Sequence, residues 1–85
     1  MTVKLLYFAW VREKTGLGEE LVDLPGEVKT VADLIVWLKA RGPEFEAAFE
    51  QSDVIRTALD QTHVRHDANI AQAREIAFFP PVTGG

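Results

Sequence analysis

Apolar residues crowd the start of the chain: from Leu5 to Val11, within "VKLLYFAWVRE", nearly every position is aliphatic or aromatic. Such a run predicts a β-strand covered on both faces. Val3, Leu5, Tyr7, Ala9 and Val11 fall on one face of it, and Leu6, Phe8 and Trp10 on the other. "KTGLG" (Lys14 to Gly18) reads as a turn, and "EELVDLP" as a second, shorter strand ended by Pro25-Gly26, which together predict an antiparallel hairpin. "TVADLIVWLKARGP" is the clearest helix. Thr30 and Asp33 have the spacing of a capping box, and Val31, Leu34, Ile35 and Leu38 form an apolar stripe at helical period. Lys39 and Arg41 suit the negative end of its dipole, and Gly42-Pro43 stops it. A short second helix opens at Pro43, with Phe45, Ala48 and Phe49 on its apolar side. "VIRTALD" and "THVR" read as two short strands around a tight turn at Asp60-Gln61. Residues 66 to 74 form a loop, and "EIAFF" is a final strand that Pro80-Pro81 must end, because proline donates nothing to the ladder. The order β-β-α-(α)-β-β-β predicts an α+β roll, a sheet covered by one main helix. The last strand is as apolar as the first, and parallel pairing between them is allowed because a helix lies between.

Composition narrows the function classes. Eighty-five residues make one domain, and 47% apolar content suffices for a modest core. Cysteine is absent, which removes disulfides, thiolate metal sites, Cys nucleophiles and side-chain persulfides. The net charge of −4 argues against nucleic-acid binding and suits a basic protein partner. No membrane span or signal peptide is expected, and the expected location is cytoplasmic.

The body of the chain holds no convincing catalytic constellation. Ser52 is the only serine, and His63 and His66 are the only histidines. A triad assembled from Ser52, His63 and Asp60 lacks a nucleophile elbow. His63 and His66, three apart in a strand-to-loop segment, do not share a face as they would on a helix, so no metal site is expected there. Gly16 and Gly18 belong to a hairpin turn rather than a phosphate cradle. Glu44 and Glu46 are most simply a solvated first helical turn.

The tail is different. We divide the chain into a folded domain over residues 1–79 and an extended tail over residues 80–85. Six residues follow Phe79, a reach of roughly 20 Å when extended. Pro80 and Pro81 stiffen its base. Val82 and Thr83 lead to Gly84 and Gly85, whose bare backbone can thread a narrow channel. The functional group at the tip is the α-carboxylate of Gly85, ionised at neutral pH and a poor electrophile. To react it must be activated by another enzyme, for example as an acyl-adenylate. It can then pass to an amine or become a thiocarboxylate that carries sulfur.

"FFPPVTGG" (Phe78 to Gly85) resembles the C-terminal signature of the small subunit of molybdopterin synthase, a family of ubiquitin-like sulfur carriers. "YFAWVRE" resembles that family's first strand, "TVADLIVWL" its helix start and "TALDQTHV" its strand-turn-strand, so the likeness runs in order along nearly the whole chain. It departs in two places: Ala73-Arg74 stands where the family usually has Gly-Asp, and Asp60-Gln61 replaces a glycine-containing turn. The resemblance implies a β-grasp fold with a mixed sheet of about five strands. It implies that an E1-like enzyme adenylates Gly85 with ATP, that a sulfurtransferase system converts it to a thiocarboxylate, and that no cofactor or metal is bound by the chain itself. The tail, Pro80 to Gly85, would then thread into a large catalytic subunit within a heterotetramer. There the sulfur passes to cyclic pyranopterin monophosphate to build the dithiolene of molybdopterin. On this reading the chain is a sulfur-donating subunit without catalytic machinery of its own. Phe8 and Phe78, with Leu59, are the expected exposed patch for the partner subunit and the activating enzyme. Three alternatives stay open: a carrier for thiazole or tRNA thiolation, a ubiquitin-like modifier conjugated through Gly85, and a passive β-grasp interaction domain whose terminus is idle.

Overall fold

A computed structural model describes residues 2–81. Strand β1 (Thr2–Tyr7) leads through a short helix α1 (Ala9–Thr15) to β2 (Glu19–Asp23). Helices α2 (Val31–Lys39) and α3 (Pro43–Ala48) follow, then a 3-10 turn (Ser52–Val54) and strands β3 (Arg56–Leu59), β4 (Thr62–Val64) and β5 (Glu75–Phe79). The strands form one sheet in the order β2-β1-β5-β3-β4. β1 and β5 run parallel and every other neighbouring pair is antiparallel. This mixed sheet, its helices against one face, is the β-grasp arrangement.

The antiparallel pairing of the first two strands, the main helix, the second helix and the three later strands form as the sequence pattern predicts, but the first two strands are joined by α1 and not by a turn at Lys14 to Gly18 alone. Thr30 Oγ1 accepts the Asp33 N–H at 3.1 Å and Asp33 Oδ2 accepts the Thr30 N–H at 3.2 Å, closing the capping box. The stripe Val31, Leu34, Ile35 and Leu38 is buried to the last residue, as are Phe45, Ala48 and Phe49. These side chains meet Val3, Leu5, Tyr7, Ile76 and Phe78 from the sheet in one core. The segment 66 to 74 is tied to the start of α2. Val31 and Ala32 donate to the carbonyls of Ala68 and His66, and Ile70 donates to that of Lys29.

The first strand is shorter than its apolar run. It ends at Tyr7, and residues 9–15 turn into α1, so the expected alternation through Ala9 and Val11 does not hold. Arg12, Glu13 and Lys14 are three consecutive charged residues that no two-residue period can keep out of the core. A helix buries Val11 and Thr15, four apart, and leaves all three charges exposed. Gly16 then closes α1 at φ 79°, its N–H donating to the Arg12 carbonyl. The tight turn is also real: Asp60 and Gln61 have φ of 48° and 72°, the pair of left-handed residues that a two-residue hairpin needs.

Candidate functional site

The tail leaves from the end of the central strand. β5 is flanked by β1 and β3, with Tyr7 opposite Phe78 on one side and Arg56 opposite Phe79 on the other. The Phe8 N–H donates to the Phe78 carbonyl at 3.1 Å, the last bond holding β5 to the β1 side. Pro80 and Pro81 follow, both half-buried, and neither has an N–H to extend the sheet. Val82, Thr83, Gly84 and Gly85, expected from the sequence to be the threading arm and its reactive end, lie outside the described residues.

What anchors this root is aromatic. Phe78 stacks on Tyr7 with centroids 6.1 Å apart and planes within 15°, and meets Phe49 edge-on at 5.1 Å. Tyr7 also meets Phe45 and Phe49 edge-on at 6.3 and 6.4 Å. Each such pair adds about 0.5–1.5 kcal/mol beyond the buried area. The far end of Tyr7 is polar and satisfied: its hydroxyl donates to Glu20 Oε2 at 2.7 Å. Glu20 in turn accepts two hydrogen bonds from the Arg41 guanidinium, at 2.7 and 3.1 Å. Arg41 lies over the rings of Phe45 and Trp37, 4.6 and 5.3 Å from their centroids. Burial, reinforced by the Glu20 carboxylate, pushes the Tyr7 phenol well above its ordinary value. For Glu20 burial acts upward, but the hydrogen bonds from Arg41 and Tyr7 outweigh it and hold the carboxyl low. The bond to Glu20 raises Arg41 in the same way. This chain of contacts joins β1, β2 and the end of α2 behind the residue that packs Phe78, so the base of the tail rests on a fixed scaffold.

The expected partner patch needs correction. Phe8 is exposed at 46%, but Phe78 is 0% exposed and Leu59 packs half-buried against the core. The parallel register sets Tyr7 beside Phe78, so these two share the helix-covered face. Phe79 therefore points the other way, and its ring lies 5.2 Å from that of His63 on the open face of the sheet. Ile76 and Phe78 make one face of "EIAFF" and Glu75, Ala77 and Phe79 the other; each face carries a phenylalanine, and Glu75 is the single sequence sign of which one is open. The aromatic pair at the tail's root on the accessible side is Phe8 and Phe79, with His63 beside the latter.

The other polar candidates do not converge. Ser52 sits in the 3-10 turn, and His63 belongs to β4. His66 donates from Nε2 to the Ile55 carbonyl at 2.9 Å, a bond that pins the loop to the start of β3. Among the described residues no group of three or more His, Cys, Asp or Glu side chains could hold a metal ion. The two departures, Asp60-Gln61 and Ala73-Arg74, prove to be one contact. Asp60 Oδ1 accepts the backbone N–H groups of both Arg74 and Glu75 at 3.0 Å, fixing the turn against the start of β5.

Residues 5–85 match the ThiS family. The chain is 35% identical over 98% of its length to the molybdopterin synthase sulfur carrier subunit of Escherichia coli K12, covering 99% of that protein. It is 36% identical over 96% of its length to the protein of the same name from Dictyostelium discoideum, 94% of which it covers. Among solved structures, a Pyrococcus furiosus protein described as molybdopterin converting factor subunit 1 superposes with a TM-score of 0.75 at 31% identity, over 96% of this chain and 99% of that one. Small archaeal modifier protein 1 of Haloferax volcanii superposes with a TM-score of 0.72 at 26% identity over the full length of both chains. A β-grasp sheet, a tail launched from its central strand and relatives alike from end to end agree: this chain belongs to the ThiS family of ubiquitin-like sulfur carriers.

Proposed function

We propose that the chain is the sulfur carrier subunit of molybdopterin synthase and that its reagent is the terminal carboxyl of Gly85. The observation that carries this reading is the match to a synthase sulfur carrier subunit over 98% of the chain, with the family match running to Gly85. An E1-like enzyme attaches AMP from ATP to the Gly85 carboxylate, releasing pyrophosphate, and a sulfurtransferase system then displaces AMP with sulfur. The resulting thiocarboxylate enters the large catalytic subunit, where its sulfur passes to cyclic pyranopterin monophosphate. The chain contributes the nucleophile and its delivery, and the larger subunit contributes the catalytic groups. Its surroundings are the cytoplasm. Among the described residues no helix is long and apolar enough to cross a membrane.

The rigid root supports the same reading. A carrier handed between an activating enzyme and a synthase needs a reactive end that always leaves the same point in the same direction. Phe78, Tyr7 and the two prolines supply that fixed start. Phe8 and Phe79, flanking the start of the tail, are the surface we assign to partner contact.

Intact-mass measurement of the protein isolated from its own cells tests this directly. A carrier shows one terminal oxygen replaced by sulfur, and the purified thiocarboxylate form makes molybdopterin when mixed with the large subunit and the precursor. A mass that never changes, or a ladder of conjugates with no thiocarboxylate, overturns the reading, and the ladder points to a protein modifier. A thiocarboxylate that forms but makes no molybdopterin points to thiazole or tRNA thiolation.

A further inference from the structure

Beside the root of the tail, on the helical side of the molecule, lies a groove of about 540 Å³ between α1, α3 and the 3-10 turn. Trp10, Ala47, Val54 and Pro81 give it an apolar lining, and Lys14 and Glu50 add polar groups. Trp10 is half-buried, Val54 is 39% exposed and Ala47 is exposed. Lys14 Nζ is held 5.5 Å from the centre of the Trp10 ring. A partly open tryptophan in a concave apolar site has the character of an interface anchor, since such residues contribute disproportionately to binding.

We infer that this groove docks the large catalytic subunit, accepting one of its apolar side chains flanked by lysine or arginine. The inference rests on the synthase reading above. Two observations choose this occupant. Pro81 is part of the groove wall and Gly85 is only the fourth residue after it. A protein that takes Gly85 into its active site must bring its own body within roughly 14 Å of Pro81, which is the extended reach of those residues. The groove lies inside that radius. The second observation is charge. Residues 43 to 55 carry Glu44, Glu46, Glu50 and Asp53 and no lysine or arginine. All four carboxylates are exposed, and none forms an ion pair within the described residues. Two of them, Glu46 and Glu50, also line a second, smaller depression beside the first, together with Lys39. An apolar socket bordered by unpaired carboxylates is complementary to an apolar knob set among cations. Its association should be steered by charge and weakened by salt.

The test uses the full chain and its cognate large subunit. In a Trp37→Phe background Trp10 is the sole tryptophan, and its emission should move to shorter wavelength on complex formation. Trp10→Ala should weaken binding about tenfold or more, as expected for an anchor residue. Because Trp10 also packs against the core, Ala47→Arg provides a second variant. It places a long cation in the groove from an exposed position, and should weaken binding similarly with an unchanged melting temperature. The pair Glu50→Lys and Asp53→Lys should slow association and flatten its salt dependence. Wild-type complex formation with unmoved Trp10 emission, and Ala47→Arg binding within about twofold of wild type, would overturn the groove while leaving the synthase reading intact. Failure of the wild-type chain to bind the large subunit at all would overturn both.

Discussion

The two faces of β5 each carry a phenylalanine and are unlike in use. On the covered face Ile76 and Phe78 are sealed at 0% exposure beneath the helices. On the open face Ala77 is nearly closed only because it is small and flanked by the neighbouring strands, and Phe79 stays half-exposed against His63. One face keeps the sheet in place, and the other borders the departing tail where another protein can reach it. Adjacent phenylalanines thus carry different work: Phe78 secures the tail's origin, and Phe79 is available beside it. An apolar residue on a strand therefore shows its purpose only when its side of the sheet is known.

The contrast can be broken in graded steps. The largest effect belongs to neither face. Removal of Gly85 should abolish thiocarboxylate formation and molybdopterin synthesis in the reconstituted reaction, with the thermal midpoint unchanged. A deletion protein that still supports synthesis refutes the assignment of the reagent. Next, Phe78→Ala should cost about 3–5 kcal/mol, the range for removing a fully packed aromatic, as measured by urea unfolding. Phe79→Ala should cost under about 1 kcal/mol in the same experiment while weakening complex formation with the large subunit. Equal losses of stability at the two positions would erase the distinction between the faces.

The polar tie behind Phe78 gives a smaller effect with a pH signature. Glu20→Gln keeps an acceptor for Tyr7 but removes the charge paired with Arg41, and should cost about 1–2 kcal/mol near neutrality, as for hydrogen bonds to charged groups. The Glu20 carboxyl is held low in the folded chain. Its contribution is therefore complete above the unfolded glutamate value, near 4.3, and is lost as pH falls through the lower folded value. Melting curves of wild type and variant should converge in acid; a gap that persists there shows the effect is packing. The smallest change is Gln61→Gly. A residue with a side chain at φ 72° is strained, and glycine should relieve about 0.5–1 kcal/mol. That amounts to a rise of a few degrees in melting temperature for a domain of this size.

Much of the architecture was legible because it rests on local chemistry. The Thr30–Asp33 capping box, the stripe from Val31 to Leu38, the Pro43 helix start and the Pro80-Pro81 stop each depend on residues within two turns of one another. α1 was hidden because Trp10 and Val11 continue the apolar run of β1 without a break. Its available signals were Gly16 as a helix stop, the four-residue spacing of Val11 and Thr15, and the charged triplet between them. The link from Tyr7 through Glu20 to Arg41 had no sequence signal at all, since its members stand 13 and 21 positions apart. The same holds for the Asp60 contact with Arg74 and Glu75, which joins two departures that looked independent.

By itself the sequence determined the order of the strands and of the two later helices, the stripe that faces the sheet, the end of the last strand and the Gly84-Gly85 pair beyond it. Each follows from a short-range rule: a period, a cap, a missing N–H or a missing side chain. Only the tertiary structure decided that Tyr7 and Phe78 share the covered face, that Phe79 rather than Phe78 borders the open one, and that Trp10 and Pro81 meet across a groove. Those outcomes depend on strand register and on helices packing over one side of the sheet. Alternation along a chain divides residues into two sets, but the pairing of distant segments decides which set is buried.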